Sequence, residues 1–240
     1  MTELSGYVVE TLREGGEFIL YRGWQHGNPL PVLVLTPVAE QPTPASLKQL
    51  EHEYSLAAEL DADWAARPLA LARHEGRMIL VLEDIGGEPL DGALGRPLEL
   101  TRFLPLAIGI AAALGRLHQR GLIHKDVKPA NILVNLAGGV WLTGFGIASR
   151  VPRERQSPEP PEFIAGTLAY MAPEQTGRMN RSMDSRSDLY SVGVTLYEML
   201  IGSLPFTASD PMEWIHCHIA RKPVPPGERL KDVPAPVSAI

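Results

Sequence analysis

One cysteine, Cys217, in 240 residues excludes an internal disulfide and points to a reducing compartment. Basic residues are in deficit: Lys and Arg number 22 against 28 Asp and Glu, a formal net charge of −6. Composition therefore offers no nucleic-acid partner. No apolar run approaches the length of a bilayer span, so no membrane partner is expected. Met1 to Tyr7 lacks the basic segment and apolar core of a secretory signal, so we expect a cytoplasmic protein. No lysine lies between Met1 and Pro44, so no strand formed there can present an ammonium group. What remains is 45% hydrophobic and 21% charged over 240 residues, enough to bury a core in one large domain or two lobes.

The most informative stretch is His124-Lys125-Asp126-Val127-Lys128-Pro129-Ala130-Asn131. It lies between a helical pattern broken at Gly121 and a short apolar strand, Ile132 to Val134. Phosphoryl transfer needs a carboxylate to receive a hydroxyl proton, a cation on the moving phosphate and an oxygen ligand for Mg²⁺. Asp126, Lys128 and Asn131 are of those types. An Asp/Asn turn with solvated lysines accounts equally well for the residues taken alone. The stretch resembles the catalytic loop of serine/threonine protein kinases, His-Arg-Asp-x-Lys-x-x-Asn, and further kinase-like motifs follow in order.

Upstream, the resemblance is degraded. Tyr7 to Leu12 and Phe18 to Tyr21 are expected strands, joined by the hairpin turn Glu14-Gly15-Gly16-Glu17. The resemblance places Gly15 and Gly16 where a glycine-rich loop covers the phosphates of ATP, but the third glycine is missing. Pro31 to Thr36 resembles the strand Val-Ala-Ile-Lys, with Leu35 at the lysine position. Arg22 reads as a surface residue. A helix from a Thr43 cap to about Leu60 puts Leu50, Glu53 and Ala57 on one face. Glu53 matches the glutamate that pairs with the strand lysine in active kinases. With Leu35 opposite, that pair cannot form, and a plain surface glutamate is an equal reading. Arg77 to Glu83 is a central strand leading to Asp84-Ile85-Gly86-Gly87, similar to the kinase hinge. That resemblance implies adenine contacts from the backbone of Glu83 and Ile85, with Leu82 behind.

Downstream, the motifs are specific. A helix capped by Thr101 runs to about Arg120, with Pro105 near its first turn. Gly144-Phe145-Gly146 stands where kinases carry Asp-Phe-Gly, 18 residues after Asp126 (144 − 126), so the metal-binding aspartate is replaced by glycine. Ser149 to Phe163, rich in Pro, Glu and Arg, reads as a mobile segment with Ser157 a conceivable phosphosite. Gly166-Thr167-Leu168-Ala169-Tyr170-Met171-Ala172-Pro173-Glu174 resembles the end of a kinase activation segment. Asp188 opens an apolar, buried helix, and by resemblance ties it to the catalytic loop. A helix Asp210 to Arg221 follows, then a proline-rich stretch. The resemblance implies two further helices beyond it, so the larger lobe is expected to be incomplete. Glu174 is expected to lack its usual arginine partner unless Arg178 or Arg186 substitutes, and the helix after Asp188 to show an exposed apolar patch.

The expected fold is α+β, a two-lobed kinase-like chain with residues 1–85 as the smaller lobe and 86–240 as the larger. The subgroup it most resembles is the N-terminal kinase-like module of large bacterial signalling proteins with downstream ATPase and sensor histidine kinase regions. Those regions, or a protein substrate or regulatory protein, are the implied partners. Asp126 and Lys128 are the candidate catalytic residues. Gly15, Gly16, Leu82, Glu83, Ile85 and Asn131 are the candidate nucleotide contacts, and Asn131 the candidate metal ligand. With Leu35 and Gly144 in place of lysine and aspartate, ATP is expected to bind weakly or not at all, and Mg²⁺ to lose one of its two ligands. A pseudokinase is the favoured reading; an active kinase using Asp126 as base is the alternative.

Overall fold

The computed structural model describes residues 2–4, 7–25, 30–74, 76–150, 167–178 and 182–239. Residues 151–166 lie outside these, and with them Ser157 and all but the first two residues of the segment expected to be mobile.

Alternating apolar residues build the first part as strands. They are β1 (Thr2–Leu4), β2 (Tyr7–Arg13), β3 (Phe18–Gln25), β4 (Pro31–Pro37), β5 (Pro68–His74) and β6 (Arg77–Glu83). They pair antiparallel in the order β1-β2-β3-β4-β6-β5. Leu20, Leu35 and Leu80 sit opposite one another across three strands and share an apolar cluster with Leu33, Leu82 and Leu133. Val34, Ile79 and Val81 form a second cluster with Tyr21, as a two-residue side-chain period requires.

Helix α1 (Pro44–Ser55) packs on this sheet. Thr43 caps it, its hydroxyl accepting from the Ser46 amide at 3.1 Å. The helix ends at Ser55, short of the expected Leu60. Leu56, Leu60, Trp64 and Ala65 then enter the core of the larger lobe, because the Ala66 amide and Leu142 carbonyl, and the Leu142 amide and Trp64 carbonyl, bond at 2.9 Å.

The larger lobe is built on α2 (Leu100–Gln119), whose Phe103, Ile110, Leu114 and Leu117 are buried at helical spacing. Each contributes roughly 1.5–3 kcal/mol of transfer free energy. The helix starts behind Glu99, so Thr101 lies inside the first turn and does not cap it. Pro105 consequently falls in the second turn, where it removes the bond to the Thr101 carbonyl. By length and composition α2 could cross a membrane, contrary to the expectation that no run is long enough. In the fold its apolar face lies in the larger lobe's core.

After β7 (Glu88–Pro89), β8 (Leu122–Ile123), β9 (Ile132–Val134), β10 (Val140–Leu142) and β11 (Ser149–Arg150) make two small sheets, β10-β9-β7 and β11-β8. Ser149 and Arg150 are thus laddered to β8, with Arg150 bridged to Glu59 at 2.5 Å, rather than opening a loose segment. Helices α3 (Ser185–Ile201) and α4 (Pro211–Ala220) follow, capped by Asp184 and Asp210.

The patch expected on α3 is largely covered. Val192, Leu196, Tyr197, Met199 and Leu200 are buried, and Leu189 is the exposed exception. Part of the cover comes from α5 (Pro226–Arg229) and α6 (Ala235–Ser238). The Tyr197 hydroxyl donates to the Val224 carbonyl at 2.8 Å, Arg229 lies over the Tyr197 ring, and Val237 packs on the core.

Candidate active site

Gly121, at φ +72°, ends α2 and turns the chain into β8 and the loop from His124. His124 is fully buried, 4.8 Å from the Phe145 ring, and bonds the Thr143 carbonyl through Nε2 at 3.0 Å. Its Nδ1 accepts from the Asp126 amide at 3.3 Å. Burial lowers its pKa, so it stays neutral and acts as a post. Lys125, at φ +70°, is the one non-glycine residue in the left-handed region among those described. Its strain is held by Asp188, fully buried, which accepts from the amides of His124 and Lys125 at 2.9 and 2.8 Å and from His118 Nε2 at 2.8 Å. Gln175 Nε2 holds the Lys125 carbonyl at 2.8 Å.

That frame sets the Asp126 carboxylate in the cleft. Oδ1 accepts from the Thr167 amide at 3.0 Å, and Oδ2 accepts from Asn131 Nδ2 at 2.9 Å and faces Lys128 Nζ at 2.7 Å. Lys128 also donates to the Thr167 hydroxyl. Asp126, Lys128 and Asn131 therefore converge as expected, and they line one cavity of about 470 Å³ together with Gly15, Gly16, Leu35, Glu53 and Gly144.

The other half of the cleft departs from what transfer requires. Leu35 is buried in the apolar row of the sheet. Glu53 is not a surface residue: it is 2% exposed and accepts from the Gly144 amide at 3.2 Å. Burial pushes its pKa up to about 7, opposed by the Phe145 and Gly144 amides and by Arg13. Gly144 has φ +81°, and a Cβ built there meets the Asn131 side chain at 2.7–2.8 Å. An aspartate at position 144 would therefore have to displace the Asn131 side chain.

Arg13, which belongs to no motif in the sequence, reaches across the lobes. Its Nη1 donates to the Ala130 carbonyl and to Asn131 Oδ1, the latter at 3.0 Å. A β-bulge between Thr11 and Arg13 puts Arg13 opposite Leu20, on the cleft side of the sheet. Burial lowers its pKa, while Asp91, Asp126 and Glu53 act to raise it. The residues do not fit Mg²⁺. The Asn131 oxygen faces the Arg13 cation at 3.0 Å, and Gly144 supplies no carboxylate.

Leu82, Glu83 and Ile85 do not line the cavity. Leu82 is fully buried against Leu33 and Leu133, also fully buried, and Ile85 packs on the same cluster, so apolar side chains fill the space beside the hinge. Arg22 is likewise not a plain surface residue. It pairs with Asp84 and Glu88 at 2.6 Å and donates to the Gly87 carbonyl at 2.7 Å, fastening β3 to the turn between the lobes. The cavity lining carries the carboxyl groups of Glu14, Glu17, Glu53, Asp91 and Asp126 against the cations Arg13 and Lys128.

Further out, Glu174 accepts from the Ser187 hydroxyl at 2.6 Å. Arg186 pairs with Asp184, and Arg178 reaches the Met212 sulfur, so neither bonds Glu174. His218 ties α4 to residues 168–170 through its bond to the Leu168 carbonyl at 2.7 Å, and Tyr190 holds its other nitrogen at 2.8 Å.

A sheet with one helix, a helical lobe and an aspartate–lysine–asparagine loop pinned by a buried aspartate are the frame of a protein kinase. The family model of the protein kinase domain matches residues 36–230, and the chain belongs to that family. It is 36% identical over 144 residues to the serine/threonine-protein kinase PknB of Mycobacterium tuberculosis, covering 60% of this chain and 23% of that protein. To the probable serine/threonine-protein kinase CE0033 of Corynebacterium efficiens it is 34% identical over 183 residues, 76% of this chain and 26% of that protein. The chain spans about a quarter of the length of these curated relatives.

Proposed function

We propose that this chain is a catalytically impaired kinase module, a pseudokinase with a binding or regulatory role in a bacterial signalling protein. The observation that carries the reading is Gly144. It supplies no carboxylate at the metal-binding position, and its close approach to Asn131 means that a side chain there would have to displace that amide. Leu35 supports it, because the phosphate-holding lysine is replaced by a buried leucine. Positioning and electrostatics supply most of the rate in phosphoryl transfer, so losing two charged positions together costs orders of magnitude. ATP binds weakly or not at all. The partner is a protein, with the ATPase and sensor regions of a longer chain the first choice, and the module acts in the cytoplasm.

The second reading is an active ATP-dependent serine/threonine kinase with Asp126 as base. It is favoured by one observation, the intact contacts among Asp126, Lys128, Asn131 and Thr167. Transfer of radiolabelled phosphate from ATP to a generic protein substrate separates the two. The pseudokinase gives no transfer above an Asp126→Asn control. Transfer by the wild type that Asp126→Asn abolishes establishes the enzyme instead.

A further inference from the structure

We propose that the Arg13 guanidinium takes the place of the divalent cation in this cleft, clasping the smaller lobe to the catalytic loop and making the site indifferent to metal. The inference deepens the reading above, and its test is separable from that reading.

The geometry begins with the acceptors. Asn131 presents its amide donor to the backbone carbonyl and carboxylate of Asp126, at 2.8 and 2.9 Å, which fixes its oxygen toward the smaller lobe. That oxygen is the atom a cation would use, and Arg13 donates to it and to the neighbouring Ala130 carbonyl. Charge supports the placement. Asp91, Asp126 and Glu53 are the acids whose charge acts on Arg13, and they approach it from the larger lobe and from α1. A cleft with that many carboxyl groups calls for a cation, and here the chain supplies one covalently. The bulge before Arg13 delivers it, since strict alternation from Thr11 would turn the side chain to the other face of β2. Arg13 Nε is buried without a hydrogen-bond partner, so the guanidinium is held by one edge, through Nη1. Leaving that donor unpaired is destabilising, so hydrogen bonding alone does not account for the placement.

A neutral and a cationic replacement distinguish this from simple packing. Arg13→Gln removes the charge but keeps a donor for the Ala130 carbonyl; Arg13→Lys keeps the charge without the fork. Binding of Mn²⁺ is followed by electron paramagnetic resonance and by thermal shift. Wild type and Arg13→Lys are expected to show no saturable Mn²⁺ binding in the cleft. Arg13→Gln is expected to gain a saturable site and metal-dependent stabilisation, both lost in Arg13→Gln with Asn131→Leu. A merely structural arginine would give two destabilised variants with no metal response, which overturns the proposal. So does Mn²⁺ binding by the wild type that depends on Asn131. If Arg13→Gln fails to fold, Arg13→Met, which keeps the apolar stem without the charge, takes its place: a saturable Mn²⁺ site that requires Asn131 supports the charge role, and a folded Arg13→Met without one overturns it. Phosphotransfer by the wild type would overturn the non-catalytic reading instead, whatever the Mn²⁺ result.

Discussion

At the residue scale, Glu53 carries the clearest physical signature. It keeps its helix position but not its lysine, and the amide of Gly144 is what it now holds. Its carboxyl is raised from 4.5 to about 7 in the fold. Between those values the folded state holds a proton that the unfolded chain has released. Stability from this group is therefore full below about pH 4.5 and is lost as pH rises toward 7. The span corresponds to about 3 kcal/mol. Buried His124 acts in the opposite sense: its lowered pKa costs stability as pH falls through the ordinary histidine range. The difference between wild type and Glu53→Gln isolates the glutamate. Urea unfolding should show Glu53→Gln more stable than wild type at pH 8, with the gap closing toward pH 4.5. Equal stability of the two proteins at pH 8 would contradict the buried-charge account.

Gly144 gives the second residue-scale test. Gly144→Asp forces a side chain to a positive φ and into Asn131, a cost of roughly 1–3 kcal/mol. Joined to Leu35→Lys it completes the motif on paper, yet the metal position is still taken by Arg13. Adding Arg13→Gln to that pair should therefore raise phosphotransfer more than the pair alone, because the parts act as a unit. Restoration by the pair alone, measured as labelled phosphate transferred, would show that the arginine is no obstacle.

At the scale of elements, the loop from His124 is only as good as its anchor in α3. Asp188 is buried in the first turn of that helix and satisfies three donors. Asp188→Ala strands them, at a cost of roughly 3 kcal/mol or more. Hydrogen exchange at the His124 and Lys125 amides should accelerate, while Asp188→Asn, which retains an acceptor, should be milder. Unchanged exchange at those amides would mean the loop is held elsewhere.

The elements also show what could be read from the sequence. Strands, α1, α2, α3 and α4 follow from apolar spacing and caps, and the loop from His124 to Asn131 follows from its motif. The Arg13 contact did not, because it depends on a one-residue bulge that local spacing does not encode. Arg22 reads as a surface residue, and Glu53 is left open between the surface and the pair position, for a related reason. Charged residues on amphipathic elements read as solvated, and only tertiary pairing with Asp84, or with the Gly144 amide, reveals otherwise. The cover on α3 was missed because a proline-rich stretch reads as loop, whereas α5 and α6 start at prolines suited to a first turn.

At the scale of the whole molecule, two arginines from the smaller sheet cross to the rest of the chain. Arg13 meets the catalytic loop, and Arg22 meets the turn at Asp84, whose side chain is 1% exposed. Arg22→Ala leaves that carboxylate with the Gly86 amide as its remaining bond, a loss of about 2 kcal/mol after allowance for solvent at the arginine. Urea unfolding should show that loss, with the denaturant slope unchanged. With both clasps closed, the lobes are held by internal charge where an active kinase would use nucleotide and metal. The most direct measurement is thermal unfolding of the wild type with ATP, with and without Mg²⁺, and again after adding chelator. The expected result is little or no stabilisation and no dependence on the metal. Strong stabilisation that requires Mg²⁺ and vanishes with the chelator would contradict the account at its centre.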